Sequence, residues 1–337
     1  MDKKEILAQV ICRTGITALA RYWNAGQSDG LRILAYHRVL DRLPSEDYKF
    51  DRELISATTE EFEWQIAHIK RYYQPITFGE LERRLRKGEN LENAVIVTFD
   101  DGFDDNYYKV YPILKKYDVP ATIFISTDYI GGFAPFWFEW LIYMGNQLNL
   151  EKIAALAEID WDEHWSAPEA RCAILRNVKK MKNQDRLILL DQLDELLGEN
   201  VSRVGYAESH PMNWDHVREM SDNGIEFGSH TKSHPILSSL TKEQKIEELV
   251  GSKAIIERET GQQCIAIAYP VGGRDQYDDE TIQEAIKAGY RFGLTYIHGR
   301  SKLNDANLFE LHRLHVERYT TRARFSAMMA LPAIFSY

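Results

Sequence analysis

Val95-Ile96-Val97-Thr98-Phe99-Asp100-Asp101-Gly102 is the stretch that decides the fold. Its first five residues are β-branched or aromatic, without charge or helical spacing, and read as a strand buried on both faces. The strand stops abruptly at two adjacent carboxylates and a glycine. Asp-Asp-Gly is ordinary turn chemistry, yet carboxylates at the C-terminal end of a buried parallel strand also stand where a (β/α) fold places its reacting groups. Similar runs recur at residues 32–36, 121–125, 225–227, 265–269, 292–296 and 308–316. Helical patterns separate several of them. Thr77 followed by Glu80 opens a helix over 78–86, Asn213 caps one over 214–220, and Asn223-Gly224 ends it. Strand and helix in alternation predict an α/β fold, a distorted or incomplete (β/α) barrel of about seven strands carrying a helical insertion.

Three segments fall outside the alternation. Ile6, Leu7, Val10, Ile11, Ile16, Leu19 and Trp23 recur at helical spacing, so residues 1–30 are expected to be a helical segment weakened at Gly15 and linked through Asp29-Gly30. Packing on the domain is the plainer reading of this helix, and peripheral contact with a membrane surface is the alternative. Residues of about 131–210 hold Phe133, Phe136, Trp137, Phe138 and Trp140 and then charged helical sequence; they read as an insertion within a domain of 31–320. The aromatics are expected to form core, with stacking on sugar faces as the second reading. Residues 321–337 read as a C-terminal tail.

Charge and cysteine usage remove several function classes. With 51 acidic and 41 basic side chains the formal charge is −10, and no local basic stripe offsets it, so nucleic acid is not an expected partner. Cys12, Cys172 and Cys264 are odd in number and far apart, which fits a reducing compartment and offers no CxxC pair. Lys3, Lys4 and Ala18-Leu19-Ala20 faintly echo a secretory leader, but Gln9, Arg13, Thr14 and Thr17 interrupt the apolar stretch, so a cytoplasmic location is expected. No P-loop, dinucleotide fingerprint or Gly-x-Ser-x-Gly elbow is present.

Gly228-Ser229-His230-Thr231-Lys232-Ser233-His234-Pro235 follows the strand predicted at 225–227. Histidines four residues apart are a familiar metal-ligand interval. Pro235 biases His234 away from the α region, which predicts a strand-to-helix loop. Combined with the acidic pair at another strand end, two imidazoles and one carboxylate would leave positions on a catalytic metal open to water and substrate. The second carboxylate would be free to take a proton from that water.

These residues resemble the polysaccharide deacetylases that share the NodB homology domain, carbohydrate esterase family 4. Thr98-Phe99-Asp100-Asp101-Gly102 is similar to that family's first motif, and His230-Thr231-Lys232-Ser233-His234 to its H-[ST]-x-x-H motif. The likeness runs from Tyr36-His37-Arg38-Val39 to about Val316. It implies Asp100 as catalytic base and Asp101, His230 and His234 as ligands of a divalent metal, zinc first, with Co2+, Ni2+ or Mn2+ as substitutes. It also implies that Ala268-Tyr269-Pro270-Val271-Gly272-Gly273 lines the pocket and binds the oxyanion, with Tyr269 and Pro270 as the expected residues. Here the sequence departs from the pattern: the arginine that orients the base is replaced by Ala268, and the late Asp-Trp motif is missing. Arg313, in Leu311-His312-Arg313-Leu314-His315-Val316, is the candidate replacement, and His315, ahead of His312, is the candidate acid for the leaving amine. Strand alternation puts Arg313 and His315 on one face and His312 on the other. His37 resembles a recurring Tyr-His and is expected near the pocket, in a catalytic or a packing role.

The expected function is therefore metal-dependent removal of an N-acetyl group from a sugar. A cytoplasmic enzyme would meet a glycan precursor, lipid-linked or nucleotide-linked. An amidohydrolase of the same fold acting on a small non-sugar amide stays open. An inactive glycan-binding homologue is disfavoured, because buried charges are costly to keep without a metal. Phosphoryl transfer through an aspartate is disfavoured too, because it gives the two histidines no role.

Overall fold

All seven apolar runs become strands: β1 (Arg32–Tyr36), β2 (Ala94–Phe99), β3 (Thr122–Ile125), β4 (Glu226–Ser229), β5 (Ala266–Ala268), β6 (Phe292–His298) and β7 (Leu311–His315). The computed structural model describes residues 3–24, 31–45, 47–132, 134–198, 209–300, 303 and 308–335; the expected linker Asp29-Gly30 and Phe133 lie outside them. Every pairing between neighbours is parallel, in the order β1-β7-β6-β5-β4-β3-β2, and β2 pairs back onto β1 over Arg32↔Val95 to Tyr36↔Phe99. The ring is closed.

Successive residues of a strand face opposite ways, and here they enter different cores. Ile33, Ala94, Ile96, Phe124, Ala266, Ala268, Phe292, Leu294 and Leu311 pack together as one cluster that fills the barrel. Leu34, Val95, Val97, Phe99, Ile123, Ile125, Phe227, Ile267 and Leu314 join a second cluster with the surrounding helices. The interior leaves little room at β4, where a Cβ on Gly228 would run into the Phe124 ring. The helices start where expected: the Thr77 hydroxyl accepts from Glu80 N–H, and Asn213 accepts from His216 N–H.

Helices Trp137–Gln147, Leu150–Leu156, Ala167–Val178 and Asn183–Leu197 make up the insertion. Their apolar faces form a third core of Phe136, Trp137, Phe138, Trp140, Leu141, Ile174, Val178, Leu189 and Leu193, which also takes in Phe103 and Ile236 from barrel loops. The aromatic cluster is thus mainly core, and Trp140 Nε1 donates to Asp194 at 2.5 Å.

The two chain ends depart most from the sequence reading. The N-terminal segment is two helices, Lys3–Arg13 and Ile16–Asn24, broken at Gly15 with φ 76°. What read as a tail contains helix Arg322–Ala330, whose Phe325, Met328 and Met329 share a core with Ala8 and Ile11. Ile6, Leu7, Val10, Ile16 and Leu19 stay exposed on the other side of the helix pair. Among the described residues no helix is long and apolar enough to cross a membrane.

Candidate active site

Along β2 the interior positions Ala94, Ile96 and Thr98 lead to Asp100, whereas alternation would send Asp101 outward. The backbone breaks the alternation instead. Asp101 adopts φ 73° and Gly102 φ 87°, and a Cβ on Gly102 would lie 2.7 Å from the Ile125 side chain. A left-handed aspartate is uncommon and locally costly. Here it turns the second carboxylate back over the barrel mouth beside the first.

Asp100 is gripped by Arg313. Arg313 Nη1 and Nη2 each donate to one carboxylate oxygen at 2.7 Å, and Nε donates to Thr295 O at 2.9 Å. The pair is fully buried. The fork reaches across from β7, because Leu311, Arg313 and His315 alternate toward the interior. Burial alone would raise the Asp100 carboxyl, but the Arg313 guanidinium and then His230 outweigh it and hold it well below the usual carboxylate range. Bidentate pairing also fixes the carboxylate plane. The space left by Ala268 on β5 is therefore served from β7.

His230 and His234 lie in the loop after β4, not on a helix. The His230 and His234 Nε2 atoms stand 3.5 and 3.4 Å from one Asp101 oxygen. His230 Nδ1 faces Ala268 O at 2.8 Å, which turns its Nε2 toward Asp101. His234 takes φ 55° and Thr231 φ 68°, so the loop is wound in the left-handed region twice. Glu248 holds that winding: its carboxylate accepts from Lys232 N–H at 2.7 Å, Ser233 N–H at 3.0 Å and the Ser233 hydroxyl at 2.6 Å. Burial pushes both imidazoles toward neutrality, His234 down to about 3 with Lys179 and Arg186 adding to it. Neutral imidazole is the form that binds a metal.

The three side chains suit a metal ion. Asp101, His230 and His234 bring their donor atoms within 4.8 Å of one another, and all are buried. The second Asp101 oxygen has no hydrogen-bonding partner, and burial raises its carboxyl, so the anion is uncompensated by protein alone. Donors about 2.0–2.2 Å from a tetrahedral centre lie about 3.3 Å apart, close to the separations found here. The two imidazoles and one carboxylate are also the donor set of catalytic zinc.

A cavity of about 220 Å3 opens over this cluster, lined by residues that include His37, Asp51, Asp100, Asp101, Phe138, Lys179, His230, His234, Tyr269, Val271, Tyr296 and Glu317. That is below the roughly 300–1,000 Å3 of sites for drug-sized molecules. Two expectations need correction. Tyr269 lines the cavity, but its N–H is already donated to Leu294 O at 3.0 Å, and Pro270 has no N–H. Val271, a β-branched residue at φ 62°, lines the cavity at the same wall. His315 is not part of the cavity wall: its ring lies flat on Tyr296 at 3.8 Å, and its backbone N–H donates to His298. Burial pushes that imidazole down to about 2.

His37 occupies the wall instead, with Nε2 4.0 Å from Asp100. It is held at the backbone, where His37 N–H donates to Ser56 Oγ and His37 O accepts from Asn106 Nδ2, both at 2.9 Å. The Tyr36-His37 likeness at the end of β1 is the signal that pointed to it. Lys179, Phe138 and Val271 gave no such signal, since Lys179 and Phe138 come from the insertion and Val271 depends on a backbone conformation.

A sequence model of the family described as polysaccharide deacetylase matches residues 87–155 and 196–293. The chain belongs to the polysaccharide deacetylase family. A putative polysaccharide deacetylase, YxkH of Bacillus subtilis, is 26% identical over 306 residues, covering 88% of this chain and 75% of that one. A poly-beta-1,6-N-acetyl-D-glucosamine N-deacetylase of Staphylococcus epidermidis is 26% identical over 209 residues, 58% of this chain and 70% of that one. Among solved structures, Streptococcus pyogenes deacetylase PplD superposes with a TM-score of 0.58 at 23% identity, covering 89% of this chain and 97% of that one. IcaB from Ammonifex degensii gives 0.57 at 19%, covering 90% and 98%. These two structures share the deacetylase fold. The stretch that the family model passes over, residues 156–195, falls inside the insertion.

Proposed function

We propose that this family member is a metal-dependent N-deacetylase of N-acetylated sugars, with zinc as the metal. The observation that carries the reading is the Asp101, His230, His234 cluster opening on the cavity with Asp100 fixed beside it by Arg313. The S. epidermidis relative, named for an N-deacetylase of poly-beta-1,6-N-acetyl-D-glucosamine, supports the substrate class.

Asp101, His230 and His234 would hold the ion, which supplies polarisation of the acetamide carbonyl and acidification of a water. Asp100 takes the proton of the attacking water. Arg313 lowers its basicity but leaves each carboxylate oxygen a second lone pair, and it keeps the carboxylate from rotating toward Asp101. Val271 N–H donates to the carbonyl oxygen as charge develops there. His37, on the same wall as Asp100, delivers a proton to the sugar nitrogen as the C–N bond breaks, so that amide and water become amine and acetate. We therefore assign the leaving-group acid to His37 in preference to His315.

A lipid-linked or nucleotide-linked precursor remains the substrate form we favour. The N-terminal helix pair adds to it: exposed Ile6, Leu7, Val10, Ile16 and Leu19, with Lys3, Lys4 and Arg13 beside them, suit the surface of an anionic membrane.

The test is acetate release by the zinc-loaded protein across N-acetylhexosamine oligosaccharides, carrier-linked N-acetylhexosamines and small non-sugar amides. Release from the sugars is expected, and release from the non-sugar amides alone would reassign the enzyme. His37→Ala should slow sugar deacetylation far more than hydrolysis of an activated acetate ester, whose leaving group needs no proton. Equal slowing of both would remove His37 from the acid's role.

A further inference from the structure

Only one lysine or arginine lines the cavity among the described residues, and it comes from the insertion. Lys179 caps helix Ala167–Val178, its N–H bonded to Leu175 O at 3.0 Å. The neighbouring Val178 is fully buried in the insertion core, and Met181 packs partly against it, so the backbone that carries Lys179 is anchored on both sides. The insertion itself is fixed to the metal-site loop. Trp137 Nε1 donates to His234 O at 2.8 Å, and the Phe138 ring lies 4.7 Å from the His234 ring. The lysine is therefore held at a definite place relative to the reacting groups.

Among the described residues its ammonium has no hydrogen-bond acceptor and no ion-pair partner. Asp51 and Asp101 act on it electrostatically from further off, while burial lowers its pKa. An ammonium partly withdrawn from water without an acceptor is costly unless a ligand supplies one. Outside the Asp100 and Asp101 pair, the same cavity is also lined by the carboxylate residues Glu317, Asp51 and Glu53. Of these, Glu53 is paired with Arg318. A strongly anionic ligand would meet three carboxylates for one lysine. A neutral polyhydroxyl ring meets both a donor and acceptors within the same cavity.

We propose that Lys179 is a specificity residue which donates to ring or hydroxyl oxygens of the sugar unit that carries the acetamide. The assignment rests on the sugar deacetylase reading above and deepens it. The cavity of about 220 Å3 offers space for a single ring and its acetamide, so one well-placed donor can select the ring's orientation. The shared family motifs do not account for this residue, because Lys179 lies in the 156–195 stretch that the family model leaves unmatched.

Lys179→Met and Lys179→Gln separate the roles, each assayed as zinc-loaded enzyme on an N-acetylglucosamine oligosaccharide and on 4-nitrophenyl acetate, which has no sugar. Lys179→Met should raise KM for the oligosaccharide roughly tenfold, the scale of one charged hydrogen bond. Turnover of 4-nitrophenyl acetate, zinc content and Tm should stay at wild-type values, and Lys179→Gln, which keeps a donor, should recover part of the KM. An unchanged KM in Lys179→Met while the wild type deacetylates the sugar overturns the proposal and leaves the deacetylase reading standing. Equal losses on sugar and ester would place Lys179 at the reaction centre, and a fall in Tm would make it structural; either result also overturns the proposal. No acetate from any sugar with the wild type would end the deacetylase reading, and this inference with it.

Discussion

The barrel rim and the insertion build one cavity by opposite means. On the rim, side chains are aimed by unusual backbone: Asp101, Thr231, His234 and Val271 all take left-handed φ values, 73°, 68°, 55° and 62°, in loops that border the cavity. Non-glycine residues in this region cost on the order of 1–3 kcal/mol each and persist where surrounding structure enforces them. The insertion uses regular helices with a continuous aromatic core, and of its described residues it sends only Phe138 and Lys179 to the cavity wall. The difference teaches that the rim stores strain to converge charged groups, whereas the insertion gains stability and contributes shape and a single donor.

The strongest way to break this contrast is to remove a rim ligand. His230→Ala or His234→Ala should abolish metal binding and activity together, measured by metal analysis and acetate release. Full metal occupancy in the double variant would dissolve the rim's special status. Asp100→Asn should keep the metal and lose about 10²–10⁴-fold in turnover, the range for a lost general base. Loss of metal along with turnover would exchange the roles of the two aspartates.

A probe of the insertion should act on stability first. Trp140→Ala removes a fully buried indole and its bond to Asp194, so denaturant unfolding should show a loss of about 3–5 kcal/mol. Near-normal metal content under native conditions would keep rim and insertion separable. Arg313→Lys preserves charge and loses the fork, so turnover should fall about tenfold with metal retained. The acid limb of its pH profile should also move upward. Arg313 is what holds Asp100 below its usual range, and weakening it lets that carboxyl protonate at higher pH. An acid limb that stays in place would mean that charge alone, without the fork, sets the base.

The same contrast governs what the sequence reveals. Each barrel strand is a local run of β-branched and apolar residues, and Arg313, two positions before His315 on such a strand, could be paired with Asp100 by alternation and by the gap at Ala268. Asp100, Asp101, His230 and His234 stand at strand ends, where the fold collects its polar groups. What stayed hidden depends on conformation or on distance. Val271 reaches the cavity wall on a backbone of positive φ, and Glu248 holds the histidine loop from a helix 14 residues past His234. Lys179 is one of several lysines in charged helical sequence, and nothing local marks the one that enters the cavity. Helix Arg322–Ala330 was missed because its face is completed by Ala8 and Ile11, more than 300 residues earlier.

Arg313 stands on the last strand of the ring, while Asp100, Asp101, His230 and His234 all precede it in the chain. During synthesis, a nascent polypeptide therefore carries Asp100 and the Asp101, His230, His234 set well before it carries the arginine that grips Asp100. A chain arrested before Arg313 would carry Asp100 without its fork, and β1 would have no β7 to close against. The grip on Asp100 thus arrives together with ring closure.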